Sequence, residues 1–191
     1  SKDYPENSFD IRRVESVGPK IGGELKRDAV IATILSLIAI LIFVGFRFNL
    51  PFGVASVVPL FHDVLITLGV FIIFDLEISL TFVAAILTIV GYSLNDTIVI
   101  FDRIRENMRG GLKGKKFPEL VNSSINQTLS RTINTSVTTL FVVSALYFIG
   151  SEAIKDFALA MLVGVIAGTY STIYIASPIL IFWHNKKPIT K

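Results

Sequence analysis

The sequence predicts an all-α, polytopic membrane protein with five transmembrane helices. Of its 191 residues, 52% are hydrophobic, and the mean hydropathy is +0.66. A soluble domain has a similar apolar share but does not gather it into long runs. Here five runs come near or exceed the ~20 residues that cross a bilayer at 1.5 Å rise per residue. They cover residues 29–46, 54–74, 79–101, 133–149 and 157–183.

Composition excludes several other classes of protein. The sequence contains no cysteine, which excludes disulfides, thiol catalysis and cysteine-based metal sites. Its net charge of +3 is modest and no basic stripe alternates with aromatic residues, so we expect no nucleic-acid partner. His62 and His184 are too far apart for a local metal motif, although they could still meet in space. No Walker motif and no nucleophile beside a base is present, so we expect neither an enzyme nor a bound cofactor.

A polar tail of 28 residues precedes the first apolar run, which is therefore not a cleavable signal. Residues 9–17, FDIRRVESV, predict a short strand, and the turn-like Gly18-Pro19 and Gly22-Gly23 follow it. A lone strand needs partners. We therefore expect the tail to be the end of a larger α+β domain, most of which this sequence lacks.

The distribution of charge predicts the orientation of the spans. On alternating sides, one side carries eleven lysines and arginines, seven of them between Arg103 and Arg131, whereas the other side carries seven. The positive-inside rule places the loop 102–132 and the tail 184–191 in the cytoplasm, and residues 1–28 outside the cell. That first tail holds six basic residues and conflicts with the rule, unless it is the end of a large translocated domain.

The loop 102–132 is predicted to contain two helices. Charged i,i+3 pairs support a surface helix before the glycines at 110 and 111. Pro118 suits the first turn of a second helix, which we expect to lie at the membrane interface and to continue into the fourth span. The i,i+3 pairs of the first helix are Asp102 with Arg105 and Glu106 with Arg109.

Asp96 is the residue whose position most needs an explanation. It follows Asn95 inside the third apolar run, about 8 Å from the cytoplasmic end. Insertion scales assign about 2.5–3.5 kcal/mol to an ionisable residue in a span, which favours a functional role. One interpretation is an acid that serves only helix packing. The other is a proton acceptor held by hydrogen bonds from Asn95 and Thr97 and sensitive to a nearby cation.

The fourth span opens with a polar stripe. Thr128, Arg131, Thr135 and Thr138 share one helical face, and Asn134 is adjacent. We expect this face to point into the bundle, where its side chains find partners, with Thr135 at about the depth of the acid in the third span. Hydropathy alone leaves Arg131 open between an interface anchor that snorkels and a relay group.

The pair His62-Asp63 lies near the middle of the second run. A neutral histidine is tolerated there, but a second carboxylate is costly. The pair either lines the same aqueous path as Asp96 or makes a polar contact with another helix. The residues do not decide between these two roles.

The last span carries small residues at four-residue intervals, which permit close packing of helices. We expect this ridge to be structural. Near the end of the same span, Pro178 predicts a kink and Trp183 an anchor at the membrane interface. The ridge consists of Ala160, Gly164, Gly168, Thr172 and Ala176.

Five stretches that span nearly the whole chain carry a resemblance to a known family. They are SVGPKIGGEL at 16–25, HDVLITLGVF at 62–71, GYSLNDTIVIFDRIREN at 91–107, NQTLSRTINTSVTTL at 126–140 and GTYSTIYIASP at 168–178. In this order they resemble the SecF branch of the SecD/SecF protein-export family. The related SecD segment has Asp-Ala-Asn and Phe-Glu-Arg where this sequence has Asn-Asp-Thr at 95–97 and Phe-Asp-Arg at 101–103.

The resemblance implies the resistance-nodulation-division (RND) architecture, with six helices per subunit, twelve in a SecD–SecF pair, and an extracytoplasmic domain after each first helix. This sequence would hold five helices of such a six-helix half-bundle. The resemblance also implies protein export driven by the proton-motive force at the bacterial cytoplasmic membrane. The partners would be SecD, the Sec translocon channel and the unfolded secretory polypeptide. The proton route would use Asp96, Arg131 and Thr135, with an aspartate from SecD.

Two other interpretations stay open. An RND-type antiporter of protons and small molecules would need a substrate pocket in extracytoplasmic domains that this sequence does not contain. A passive scaffold of the translocon would tolerate neutral substitutions at both Asp96 and Arg131.

Overall fold

The computed structural model describes residues 19–111 and 116–189. Within these ranges the chain is helical and contains no strand, and five stretches are long and apolar enough to cross a membrane. The predicted all-α membrane fold is confirmed for this part of the chain. The strand expected at 9–17 lies outside the described residues.

Six helices and two π-helical turns make up the described chain. The turn Asn107–Gly111 extends the third helix, and the turn Thr172–Ala176 joins the fifth to the sixth in one rod of span length. The helices are α1 Pro19–Arg47, α2 Leu50–Ile73, α3 Leu80–Glu106, α4 Phe117–Ile149, α5 Glu152–Ser171 and α6 Ser177–Lys186.

The helices extend beyond the apolar runs that predicted them, because main-chain hydrogen bonding continues where the side chains become polar. α1 begins at Pro19, so Gly22-Gly23 lies within a helix and not in the expected turn. α4 is continuous over 33 residues, as expected for a loop helix that continues into the fourth span. Its position at the membrane interface stays a prediction.

The charged end of α3 agrees only in part with the predicted ion pairs. The pair of Asp102 with Arg105 is present at 3.6 Å. Glu106 pairs with Arg103 at 2.6 Å, and not with Arg109. Arg109 lies in the π-helical turn, whose wider winding changes its angle relative to Glu106.

The rod formed by α5, the π-helical turn and α6 lies at the centre of the bundle, and its α5 part packs against α2, α3 and α4. The small-residue ridge allows α5 to lie close to its neighbouring helices. A Cβ atom on Gly164 would lie 2.3 Å from Cδ1 of Ile89, and one on Gly168 would lie 3.1 Å from Cβ of Ser93. Glycine at these two positions therefore lets α3 and α5 meet almost backbone to backbone.

α1 is the peripheral helix of the described chain. Only 6% of its most apolar stretch is buried, compared with 50% for the rod of α5 and α6. It joins the bundle mainly near its C-terminal end, through Val44 and the following Phe48, with Ile40 packed beside them. The remaining large side chains of α1, such as Leu35 and Phe43, are exposed and suit contact with lipid.

The interruption predicted at Pro178 takes the form of a widened turn. Proline has no amide hydrogen, and its ring crowds the carbonyl group four residues earlier, here that of Tyr174. The π-helical turn Thr172–Ala176 stands at this point and relieves the crowding before α6 continues. The role of Trp183 as an interface anchor stays a prediction.

Candidate functional site

Asp96 is a buried acid that no described side chain holds by a hydrogen bond. Its side chain projects from the middle of α3, the residue is 5% exposed, and Oδ2 is buried without a partner. The expected hydrogen bonds from its neighbours are absent. Asn95 is exposed, because adjacent residues on a helix point about 100° apart.

Thr97 faces α5 instead of Asp96. Its hydroxyl lies 3.2 Å from the carbonyl oxygen of Ser93, to which it can donate, and 3.1 Å from the hydroxyl of Thr172. Thr97 and Thr172 are fully buried, so this contact ties α3 to the π-helical turn after α5. Thr97 therefore fixes the helix that carries Asp96 without touching the acid.

The face of α4 that points into the bundle is not the predicted one. Arg131 and Thr138 are exposed on the described chain, and Thr135 is only half-buried. The two stripes lie side by side on one helix, and the packing of α3 and α5 selects between them. The inward stripe consists of Ser124, Thr128, Thr132 and Ser136, so that of the predicted set only Thr128 is buried.

Arg131 is near Asp96 without being paired to it. Its positive charge acts on Asp96, yet no ion pair within 4 Å joins the two side chains. Thr135 donates to backbone oxygens of its own helix, at 3.0 Å to Arg131 and 2.9 Å to Thr132, and Asn134 is exposed. The three residues of the predicted relay therefore lie on α3 and α4, with the acid inside and the arginine at the surface.

Two polar groups near this region were missed by the sequence reasoning. The hydroxyls of Tyr92 and Thr132, like Oδ2 of Asp96, are buried without a hydrogen-bond partner in the part of the chain that the structure describes. Tyr92 lies one helical turn before Asp96 and on the same face of α3. Polar residues at i and i+4 inside an apolar run were the available signal.

Asp63 is the second buried acid, and unlike Asp96 it is fully partnered. It is 0% exposed, and its Oδ2 accepts from the hydroxyls of Ser93 at 2.6 Å and Ser171 at 2.9 Å. Its Oδ1 lies 3.0 Å from Nδ1 of His62, whose ring is 6.2 Å from that of Tyr170. Of the two predicted roles for His62-Asp63, the contact with other helices is present.

The two serines that hold Asp63 were not singled out from the sequence. Ser93 lies on α3 and Ser171 ends α5, so they meet on Asp63 only because three helices converge there. Ser171 is adjacent to the small-residue ridge, for which the sequence predicts a packing role alone. A serine beside such a ridge signals that close helices also share a polar contact.

The exposed faces of α3 and α4 differ from that of α1 in their chemistry. Small or polar residues make up most of the exposed face of α3. Arg131, Asn134 and Thr138 are exposed on α4, where large apolar side chains such as Val137 and Phe141 are exposed as well. In lipid small and polar side chains gain from packing against another helix, whereas large aliphatic ones do not need it. The exposed small or polar residues of α3 are Ala84, Thr88, Gly91 and Asn95.

The chain was compared with known proteins and structures. The family described as protein export membrane protein SecD/SecF, C-terminal, matches residues 1–186. A protein translocase subunit SecF from Desulfurispirillum indicum is 52% identical over 183 residues, which are 94% of this chain and 58% of that protein. Protein translocase subunit SecDF from Thermus thermophilus is 52% identical over 91% of this chain and 23% of its own length.

Solved structures agree with these relatives. The crystal structure of SecDF from Thermus thermophilus superposes with a TM-score of 0.83 at 53% identity, over 88% of this chain and 23% of that one. A crystal structure of SecDF in its super-membrane-facing form gives 0.80 at 48% identity, over 90% and 23%. The chain spans little more than half of the SecF relative and about a quarter of SecDF. By sequence and by fold, the chain belongs to the SecD/SecF family of protein export membrane proteins.

Proposed function

We propose that the chain forms five transmembrane helices of a SecF subunit that couples the proton-motive force to late steps of Sec-dependent protein translocation. The observation that carries the proposal is Asp96, a buried acid with an unpartnered oxygen beside an uncovered arginine. A buried polar group without a partner is costly, and such a cost is typical of a functional site. Protonation and deprotonation of Asp96 are the proposed chemical events.

Arg131 supplies the opposite charge. Its charge acts on Asp96 without an ion pair between them, so contact would require a relative movement of α3 and α4 or of the arginine side chain. In its charged state Asp96 would pair with Arg131. In its neutral state Asp96 would no longer hold the arginine. Thr135, which donates only to its own helix, is free to offer its oxygen as an acceptor along the same path.

SecD is the proposed partner of the exposed face of α3 and α4. That face carries a group of small and polar side chains, which pack against protein better than against lipid, next to large apolar side chains on α4. An aspartate from SecD would then complete the site next to Asp96. The name of the relative SecDF, a single chain, supports this pairing. The Sec translocon channel and the emerging secretory polypeptide are the further partners.

The proposed location is the bacterial cytoplasmic membrane. The distribution of lysine and arginine supports a cytoplasmic position for the loop 102–132 and for the C-terminal tail, and an extracytoplasmic one for residues 1–28. Protons would then leave Asp96 towards the side on which Arg131 lies.

The test is export in membrane vesicles that contain the full-length protein, SecD and the translocon. Asp96→Asn keeps the shape of the side chain but removes its titration. We expect it to assemble with SecD and to lose the stimulation of export that depends on the proton-motive force. Arg131→Ala should have the same effect. An uncoupler should abolish the stimulation by the unmodified protein and have no further effect on either variant.

Asp102→Asn is the matched control. Asp102 lies on the same helix and forms an ion pair with Arg47 at the end of the bundle, and its loss should leave the stimulation intact. Full stimulation by the Asp96→Asn variant would refute the proposed relay. Full stimulation by both the Asp96 and Arg131 variants would support a passive scaffold.

A further inference from the structure

Asp63 joins three helices at one point in the centre of the bundle. It lies on α2, and its Oδ2 accepts from Ser93 on α3 and Ser171 on α5. Gly168 makes room for this junction, because a Cβ atom there would lie 3.1 Å from Cβ and 3.3 Å from Oγ of Ser93. In an apolar span water does not replace a lost acceptor, so loss of the carboxylate would leave the hydroxyl of Ser93 unsatisfied. Ser171 would keep only the carbonyl oxygen of Gly168, at 3.2 Å.

The turn of α3 that carries Asp96 is fixed on both sides of the acid. Three residues before it, Ser93 is bound to Asp63, which also holds Ser171. One residue after it, Thr97 contacts Thr172. Ser171 is the last residue of α5 and Thr172 the first of the π-helical turn, so both attachments end where α5 passes into that turn.

We propose that Asp63 is a positioning residue for Asp96, a role that rests on the proposed proton exchange at Asp96. By holding Ser93 against Ser171, Asp63 sets how far the Asp96 side chain stands from α4 and from Arg131. The role differs from simple stabilisation, because it changes the electrostatic surroundings of a second acid. Asp63 itself needs no contact with the proton path.

The groups around Asp63 are few, and they allow a direct test. His62 is the titratable side chain in contact with it on α2, and the helices packed there contribute the hydroxyls of Ser93 on α3 and Ser171 on α5. Asp96 on α3 and Tyr170 on α5 are the next titratable groups along these helices. A change at Ser171 therefore alters the position of α3 without changing any charge.

The experiment is infrared difference spectroscopy of the full-length protein with SecD in liposomes, recorded across a range of pH. The carboxyl band of Asp96 is identified by its loss in the Asp96→Asn variant. We expect Asp63→Asn and Ser171→Ala to shift the midpoint of this band by at least about half a pH unit, because a changed distance to Arg131 changes the charge interaction.

Thr67→Ala is the matched control. Thr67 is buried one turn after Asp63 on α2 and donates at 2.8 Å to the backbone oxygen of Asp63, not to its carboxylate. Its removal should lower stability to a similar extent as that of Ser171 but leave the midpoint unchanged.

The outcomes separate the two proposals. An unchanged midpoint in Ser171→Ala and in any Asp63→Asn protein that assembles would overturn the positioning role and leave the proton relay intact. If Asp63→Asn does not assemble, Ser171→Ala decides. Midpoint shifts of equal size in Ser171→Ala and Thr67→Ala would also overturn the positioning role, since any buried substitution would then change the midpoint to the same extent. Full proton-dependent export by Asp96→Asn would overturn the relay and the positioning role together.

Discussion

Two carboxylates are buried in this bundle, and their surroundings are opposite. Asp63 is completely enclosed and both of its oxygens have partners, whereas Asp96 is nearly as buried and has an oxygen with none. Burial alone therefore does not distinguish an acid that holds helices together from one that we propose to exchange a proton. The hydrogen-bond partners make the distinction, since only Asp63 joins its helix to others through them.

The largest expected effect on stability is at Asp63. Asp63→Ala leaves the hydroxyl of Ser93 and the ring of His62 without their acceptor. Ser171 keeps only the carbonyl oxygen of Gly168, at 3.2 Å, so we expect a loss of about 3–5 kcal/mol. The measurement is unfolding of the full-length protein in mixed micelles with increasing SDS, followed by circular dichroism. A loss below about 1 kcal/mol would contradict the contrast between the two acids.

The space around Asp63 gives the second prediction. Gly168→Ala would press its methyl group against Ser93, 3.1 Å from Cβ, and we expect a loss of about 1–2 kcal/mol in the same unfolding assay. Gly91→Ala is the control on α3, where a Cβ atom meets nothing within 4 Å. That variant should be neutral or slightly stabilising, because alanine favours a helix more than glycine.

A smaller effect is expected when one donor is removed. Ser171→Ala takes away a single hydroxyl and leaves Asp63 with Ser93 and His62, so a loss of about 1 kcal/mol is expected. Comparison with Asp63→Ala tests whether the junction acts as a unit. A double variant that loses no more than Asp63→Ala alone would show that the two groups depend on each other.

The smallest effect on unfolding is expected at Asp96. Asp96→Asn removes no hydrogen bond among the described residues, so the free energy of unfolding should change by less than about 0.5 kcal/mol. The same variant is the one expected to abolish proton-dependent export. A large loss of stability would mean that Asp96, like Asp63, is a structural acid.

The fold could be predicted from the sequence to a large extent because membrane insertion is a local property. The length and composition of each apolar run determine whether it can span a bilayer, and neighbouring segments have little influence on this. For the same reason, Asp96 could be recognised from the sequence alone as an acid inside an apolar run. The continuation of the helix after Pro118 into the fourth span followed from the absence of any breaker between them.

The details of the site could not be predicted, because they depend on how the helices pack. Thr128 belongs both to the predicted stripe with Arg131 and to the inward stripe with Thr132. The sequence of α4 permits either face to be buried, and the positions of α3 and α5 determine which one is. Asp63 likewise finds Ser93 and Ser171 only in one register of three helices.

The attachment of α1 near one end has a consequence for how the protein meets bilayers of different thickness. The 21 residues Arg27–Arg47 measure about 31 Å along the helix axis. A thinner membrane can be matched by tilting this helix about Val44 and Phe48, without disturbing α5 or the two acids beside it. α1 would absorb changes in lipid composition, so the surroundings of Asp63 and Asp96 would keep one geometry in different membranes.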